Sequence, residues 1–122
     1  MGEAAGGTVD LLVIGAGPAG AHAALRARAC GLTVLLVDEN HDAGGQVWRP
    51  LPPGFTRRPG VPLSADARAG DDLRAALRGG GVDCRFGHKV WNIGTDLRCD
   101  LIGPDGSVGS RPRALLVATG TT

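Results

Sequence analysis

Gly15-Ala16-Gly17-Pro18-Ala19-Gly20 is the stretch of this sequence whose residue types and spacing point to a defined chemistry. Glycines at these intervals let a chain turn sharply, bring its backbone against an anion and then pack a helix closely. Gly15 permits the turn out of a strand. Gly17 has no Cβ to hold a pyrophosphate away, and Gly20 allows close helix packing. A helix opening at Pro18 and Ala19 would aim free N–H groups and the positive end of its dipole at the phosphates. Asp38 closes the next apolar run, where an acid accepts hydrogen bonds from ribose hydroxyls and disfavours a 2′-phosphate. The plain alternative is a glycine-rich turn with no ligand. The context of strand before and helix after weighs against it.

The elements that must position this motif are legible around it. Residues 9–14 are apolar apart from Asp10 and end at Gly15, as in a strand buried on both faces. From Pro18 to Cys30 nothing after Gly20 breaks an Ala- and Arg-rich helix, and Gly31 stops it. Residues 33–37 form a second buried strand, which completes a right-handed βαβ unit. Residues 50–63, rich in Pro and Gly, read as an irregular loop. Ser64 then caps a helix reaching Arg78, with Ala67, Leu73, Ala76 and Leu77 on its apolar face. Strand pieces follow at 82–86 and 89–93, joined through Gly87. Two more, at 97–102 and 108–111, flank the turn Pro104-Asp105-Gly106, and a third buried strand lies at 114–118. The expected fold class is α/β: a Rossmann-like unit with a parallel central sheet, helices and a small antiparallel β-element over 89–112. Residues 1–8 read as a disordered leader, leaving 9–122 as one domain.

Composition removes several function classes. The 122 residues carry a formal charge of +1, which gives no electrostatic reason to expect nucleic acid or an anionic membrane. Tyr is absent and aromatics are few, so there are no platforms for stacking single-stranded bases. Cys30, Cys84 and Cys99 lie far apart without CxxC or metal-ligand spacing, as expected of reduced thiols. No signal-peptide pattern or membrane-length apolar run is present, so a cytoplasmic setting is expected.

Few other side chains suggest chemistry. His22, His41 and His88 have no acid–base partner that the sequence can place, so no catalytic residue is assigned. Asp66, Asp71 and Asp72 read as helix-start and solvent-face charges, not as a metal site. Arg57-Arg58 reads as a solvated loop pair and Lys89 as surface. Trp48 is equally suited to anchoring a loop or touching a cofactor.

The first βαβ unit does not decide between FAD and NAD. Gly44-Gly45 after Asp38-Glu39, and the terminal Ala118-Thr119-Gly120, favour FAD. With them the chain resembles the FAD-binding segment of the pyridine-nucleotide-disulfide oxidoreductase superfamily. Gly44-Gly45-Gln46-Val47-Trp48-Arg49 is similar to the signature of bacterial amine- and opine-oxidising flavoprotein subunits, the group of opine oxidase, D-hydroxyproline dehydrogenase and hydrogen cyanide synthase. That resemblance covers nearly the whole chain. It implies an FAD site made by Gly15, Gly17, Pro18, Ala19, Gly20, Asp38, Glu39, Gly45, Gln46, Arg49, Val90, Ala118, Thr119 and Gly120. In it Val90 bonds the adenine through its backbone and Arg49 sits close to the FAD. It further implies a flavin that takes a hydride from a carbon bonded to an amine nitrogen.

Two departures from the superfamily stand out. Gln46-Val47-Trp48-Arg49 holds the place of the redox-active Cys pair, so thiol substrates are not expected. The sequence also stops at Ala-Thr-Gly, before the second dinucleotide domain and the Gly-Asp motif of longer members. Three ways of working stay open: a piece of an enzyme completed by another chain, a non-catalytic nucleotide-binding module, or a remnant. In each, an exposed apolar surface is expected on the 114–118 strand.

Overall fold

A computed structural model describes residues 8–120. Its elements are β1 (Thr8–Ile14), α1 (Pro18–Ala29), β2 (Val34–Asp38), α2 (Ala65–Gly79), β3 (Asp83–Phe86), β4 (Lys89–Ile93), β5 (Cys99–Gly103) and β6 (Gly106–Val117). They form one six-stranded sheet in the order β3-β2-β1-β6-β5-β4. β1 pairs in parallel with β2 on one side and with β6 on the other, and β2 pairs in parallel with β3. β5 runs antiparallel to both β4 and β6. The expected α/β class, the parallel centre and the antiparallel element are all present.

Each face of the parallel strands is covered differently, and strand alternation sets the division. Val13, Val34 and Leu36 join Ala21 and Ala24 of α1 and Leu73 and Leu77 of α2 in one core. Leu12, Leu35 and Val37 point the other way and pack with Cys99 and Leu101 of β5. The helices cover one face and the antiparallel strands fold over the other. Small residues on the buried side of α1 let its backbone lie close to the sheet, and Gly31 (φ +92°) takes the chain out of the helix. α2 begins where the Ser64 Oγ accepts the Ala67 N–H at 3.0 Å.

Most element ends shift by a residue or two from those expected, and some of the differences have a clear cause. Thr8 belongs to β1, so the leader reading fails there, and residues 1–7 lie outside the described residues. α1 ends at Ala29, with Cys30 as its C-cap. β5 starts at Cys99, because Leu97 takes a left-handed turn conformation (φ +67°). Most consequential, the pieces at 108–111 and 114–118 are one strand that runs straight through Pro112. Its first part pairs with β5 and its second with β1, and the β5 register ends at Cys99↔Ser110. At Pro112 the strand therefore has no β5 neighbour that would need its missing N–H.

β6 lies inside the sheet, yet α1 and α2 do not cover its helix-side residues. Ala114 is exposed and Leu116 is 37% exposed, and on the opposite face Val117, paired with Ile14, is 58% exposed. This is the apolar exposure expected of the strand.

Two acids hold the strand ends. Asp10 Oδ2 accepts the Thr33 N–H at 2.9 Å, while the Thr33 hydroxyl accepts the Asp10 N–H at 2.8 Å. Hydrogen bonds from the Thr33 backbone and side chain hold the Asp10 carboxyl below its ordinary range, against a small opposing effect of burial. The Arg98 N–H does the same for Asp96. Because both values are lowered on folding, their stabilisation is present at neutral pH and lost as pH falls below about 4. The thermal midpoint should fall through that range, and Asp10→Asn should lose less of it than the unsubstituted chain. In urea unfolding, Leu12→Ala should cost about 2–5 kcal/mol and Leu116→Ala well under half as much, since only Leu12 is fully enclosed.

Candidate functional site

The carboxyl ends of β1, β2 and β6 meet above the start of α1, and a cleft of about 630 Å³ opens there. Its walls come from five segments: the β1–α1 turn, the end of β2 with the following turn, the loop carrying Gly45, the β3–β4 turn with the start of β4, and the end of β6. An open α/β sheet offers a crevice for a ligand at this position.

Three glycines in the β1–α1 turn are required for different reasons. Gly15 sits at φ +109°, and a Cβ there would overlap the carbonyl oxygen of Ala118. Gly20 lies under the same turn, and its Cβ would overlap the Gly15 carbonyl oxygen. Backbone contact within the protein itself demands glycine at both. Gly17 is different. Its Cβ would meet only Gly45 Cα, at 3.7 Å, so the protein leaves that space open toward the cleft. The helix start beside it is also free to meet an anion. Gly17 is the N-cap, no side chain caps the helix, and no acid lies in its first turn. An open glycine at an uncapped helix start fits a pyrophosphate, and the cleft is of ordinary size for a nucleotide ligand.

Asp38 ties these parts together. Its Oδ2 accepts the Ala16 N–H at 2.6 Å and its Oδ1 the Asn40 N–H at 2.8 Å. Two acceptor positions remain on the carboxylate for ribose hydroxyls. Glu39 lies beside it in the cleft, exposed, with Lys89 Nζ 3.7 Å away. Lys89 thus serves as a loose counter-ion at the cleft, a role its reading as a surface residue did not include.

Of the residues expected at the site, Gly15, Gly17, Pro18, Ala19, Asp38, Glu39, Gly45, Gln46, Val90, Ala118, Thr119 and Gly120 line this cleft. Gly20 does not. It is buried behind the turn and acts through packing. Arg49 does not line it either, since its guanidinium donates to the Gln46 Oε1 on an exposed stretch. Trp48 makes an edge contact with the His22 ring, centroids 6.2 Å apart, and packs on the helix-side core. That places it as a loop anchor. Besides Asn40, His88 is a lining residue with polar chemistry that the sequence did not place at the cleft. Its Nδ1 lies 2.8 Å from the Phe86 carbonyl, and its backbone N–H donates to the Asp38 carbonyl. Nothing local marks it, because the β2–β3 pairing brings residue 88 beside residue 38.

No group of three or more His, Cys, Asp or Glu able to hold a metal occurs among the described residues. Among them, too, no helix is long and apolar enough to cross a membrane.

Residues 10–82 match the model of the family described as FAD dependent oxidoreductase. The chain belongs to that family. That family is described by its dependence on FAD as cofactor. Over 111 residues it is 36% identical to an opine oxidase subunit of Rhizobium meliloti (strain 1021), covering 91% of this chain and 24% of that protein. Over 86 residues it is 41% identical to the corresponding opine oxidase subunit of Agrobacterium tumefaciens (strain Ach5), covering 70% of this chain and 17% of that one. The chain thus spans about a quarter or less of these relatives' length. Among solved structures, a myxobacterial FAD-dependent chondrochloren halogenase superimposes with a TM-score of 0.70 at 21% identity. The superposition covers 93% of this chain and 38% of the halogenase, and the likeness is one of fold.

The three glycines give a direct check on the site. Gly15→Ala and Gly20→Ala should each destabilise the fold by about 2 kcal/mol or more, because backbone must move. Gly17→Ala should stay within about 0.5 kcal/mol of the unsubstituted chain in urea unfolding, yet bind ADP more weakly by calorimetry.

Proposed function

We propose that the cleft binds the ADP moiety of FAD. The pyrophosphate lies over the start of α1 between Gly17 and Gly45, with the adenosine ribose at Asp38 and Glu39. The adenine lies beside His88 and Val90, and Ala118-Thr119-Gly120 closes the far wall. The observation that carries this reading is the open space at Gly17, which no protein atom requires, set beside an uncapped helix start.

The flavin of FAD supplies hydride and electron transfer when bound, and the protein's part is to position and polarise it. The residues here act at the nucleotide end of the cofactor: they bind the diphosphate, orient the ribose and hold the phosphate-facing turn. We further propose that the whole enzyme acts on a C–N bond of an amine, amino acid or opine. Its likeness to the two opine oxidase chains supports this, as does Gly44-Gly45-Gln46-Val47-Trp48-Arg49, where no thiol stands. A partner chain and a cytoplasmic, bacterial setting belong to the same proposal. The exposed apolar residues of β6 favour a covering partner, and the relatives named as subunits are bacterial.

Titration of the purified chain with FAD, read by flavin fluorescence and calorimetry, tests the cofactor site. Binding in the micromolar range, displaced by ADP and abolished by Gly17→Val in a folded protein, is the expected result. A folded chain that binds none of FAD, ADP or NAD would remove the proposal.

A further inference from the structure

Arg74 is a buried cation that does not line the cleft. It stands on α2 with 6% of its surface exposed. Its Nη1 donates to the Ala43 carbonyl at 2.9 Å and to the Trp48 carbonyl at 2.8 Å. Its Nη2 donates to Asp71 Oδ1 at 3.0 Å, and the other Asp71 oxygen accepts from Arg57 Nη1 at 2.6 Å. Among the described residues, no buried side-chain nitrogen or oxygen lacks a partner.

Ala43 and Trp48 are the two ends of the turn that carries Gly44, Gly45, Gln46 and Val47. One nitrogen of Arg74 therefore clamps both ends. Two more hydrogen bonds constrain the turn: Gly44 N–H donates to the Ala16 carbonyl of the β1–α1 turn at 2.8 Å, and within the turn Trp48 N–H donates to the Gly44 carbonyl at 3.0 Å. Two glycines make room for the guanidinium. A Cβ on Gly44 would lie 2.7 Å from Nη1 and overlap the Trp48 carbonyl, and one on Gly70 would lie 2.9 Å from Nη2. At the front of the same turn Gly45 meets Gly17, where an added Cβ on Gly45 would fall 2.9 Å from Gly17 Cα.

We infer that Arg74 is a positioning residue of the nucleotide site: by clamping the Ala43 and Trp48 carbonyls it holds Gly45 against Gly17, on the phosphate side of the cleft. This rests on the proposed binding of the ADP moiety. Asp71 orients the guanidinium, and Arg57 extends the chain of contacts to the irregular loop. The Asp71 carboxyl is held below its ordinary range chiefly by Arg74, so it stays charged at neutral pH. A lysine in place of Arg74 keeps the charge but cannot present two planar donors to the same two partners and a third to Asp71.

The consequence is selective. The turn faces the phosphates, while Asp38, His88 and Val90 face the adenosine. Calorimetry with ADP and NMR titration with adenosine, on the whole chain and its Arg74→Lys and Asp71→Asn variants, separates the two ends. Arg74→Lys should weaken ADP about tenfold and adenosine less than about twofold, and Asp71→Asn should do the same with a smaller loss. Should Arg74→Lys fail to fold, the same split in Asp71→Asn decides. Equal losses for both ligands, or none, would overturn the role of Arg74 while leaving the nucleotide site standing. Failure of the unsubstituted chain to bind ADP would instead overturn the site and this inference with it.

Discussion

Backbone lies directly on backbone where the β1–α1 turn, the start of α1 and the end of β6 converge. Gly15 touches the Ala118 carbonyl and Gly20 touches Gly15, so neither tolerates a side chain. Main-chain hydrogen bonds run through the same place: Gly15 N–H to the Val37 carbonyl and Ala118 N–H to the Ile14 carbonyl, both at 2.8 Å. Three parallel strands end at one level because of these contacts, and the cleft exists because they end there. The Asp38 carboxylate adds a side-chain tie from β2 to Ala16. Remove the close approach and the helix start no longer points into the crevice.

Around this point the protein uses glycine in two distinct ways. At Gly15, Gly20 and Gly44 the absent Cβ is filled by the protein itself. At Gly17 it is left open. A tightly packed turn thus presents one small unfilled surface, beside an uncapped helix terminus that favours negative charge. The second turn, carrying Gly45, reaches that surface from outside the βαβ unit. Arg74 holds it there from behind, so α2 takes part in the site without lining it.

Much of this is legible in the residues, for physical reasons. Buried parallel strands are continuous apolar runs, and Val34 to Val37 shows such a run directly. Glycines needed by backbone contact are recognisable by spacing, which is why the β1–α1 turn stands out in one dimension. Local chemistry also marks Ser64 as a cap and Gly31 as a stop. The features that local sequence does not reveal depend on long-range pairing. Pro112 breaks a pattern in one dimension, but in the sheet it falls where β5 has already ended. His88 gains a place in the cleft only through β2–β3 pairing. Asp71 looks like a solvent-facing helix charge, and nothing local marks Arg74, until residues 43 and 48 fold against them. Arg49 shows the converse, since the motif that names it does not aim its side chain into the cleft.

The most direct measurement of the central claim is a ¹H–¹⁵N NMR titration of the chain with ADP, following each backbone amide. With the diphosphate over the start of α1, the largest shifts should fall on Gly17, Ala19, Gly45 and Gln46, with smaller ones at Asp38, Glu39 and His88. Shifts centred on the exposed β4 residues Trp91 and Ile93, with Gly17 and Gly45 unmoved, would contradict that placement.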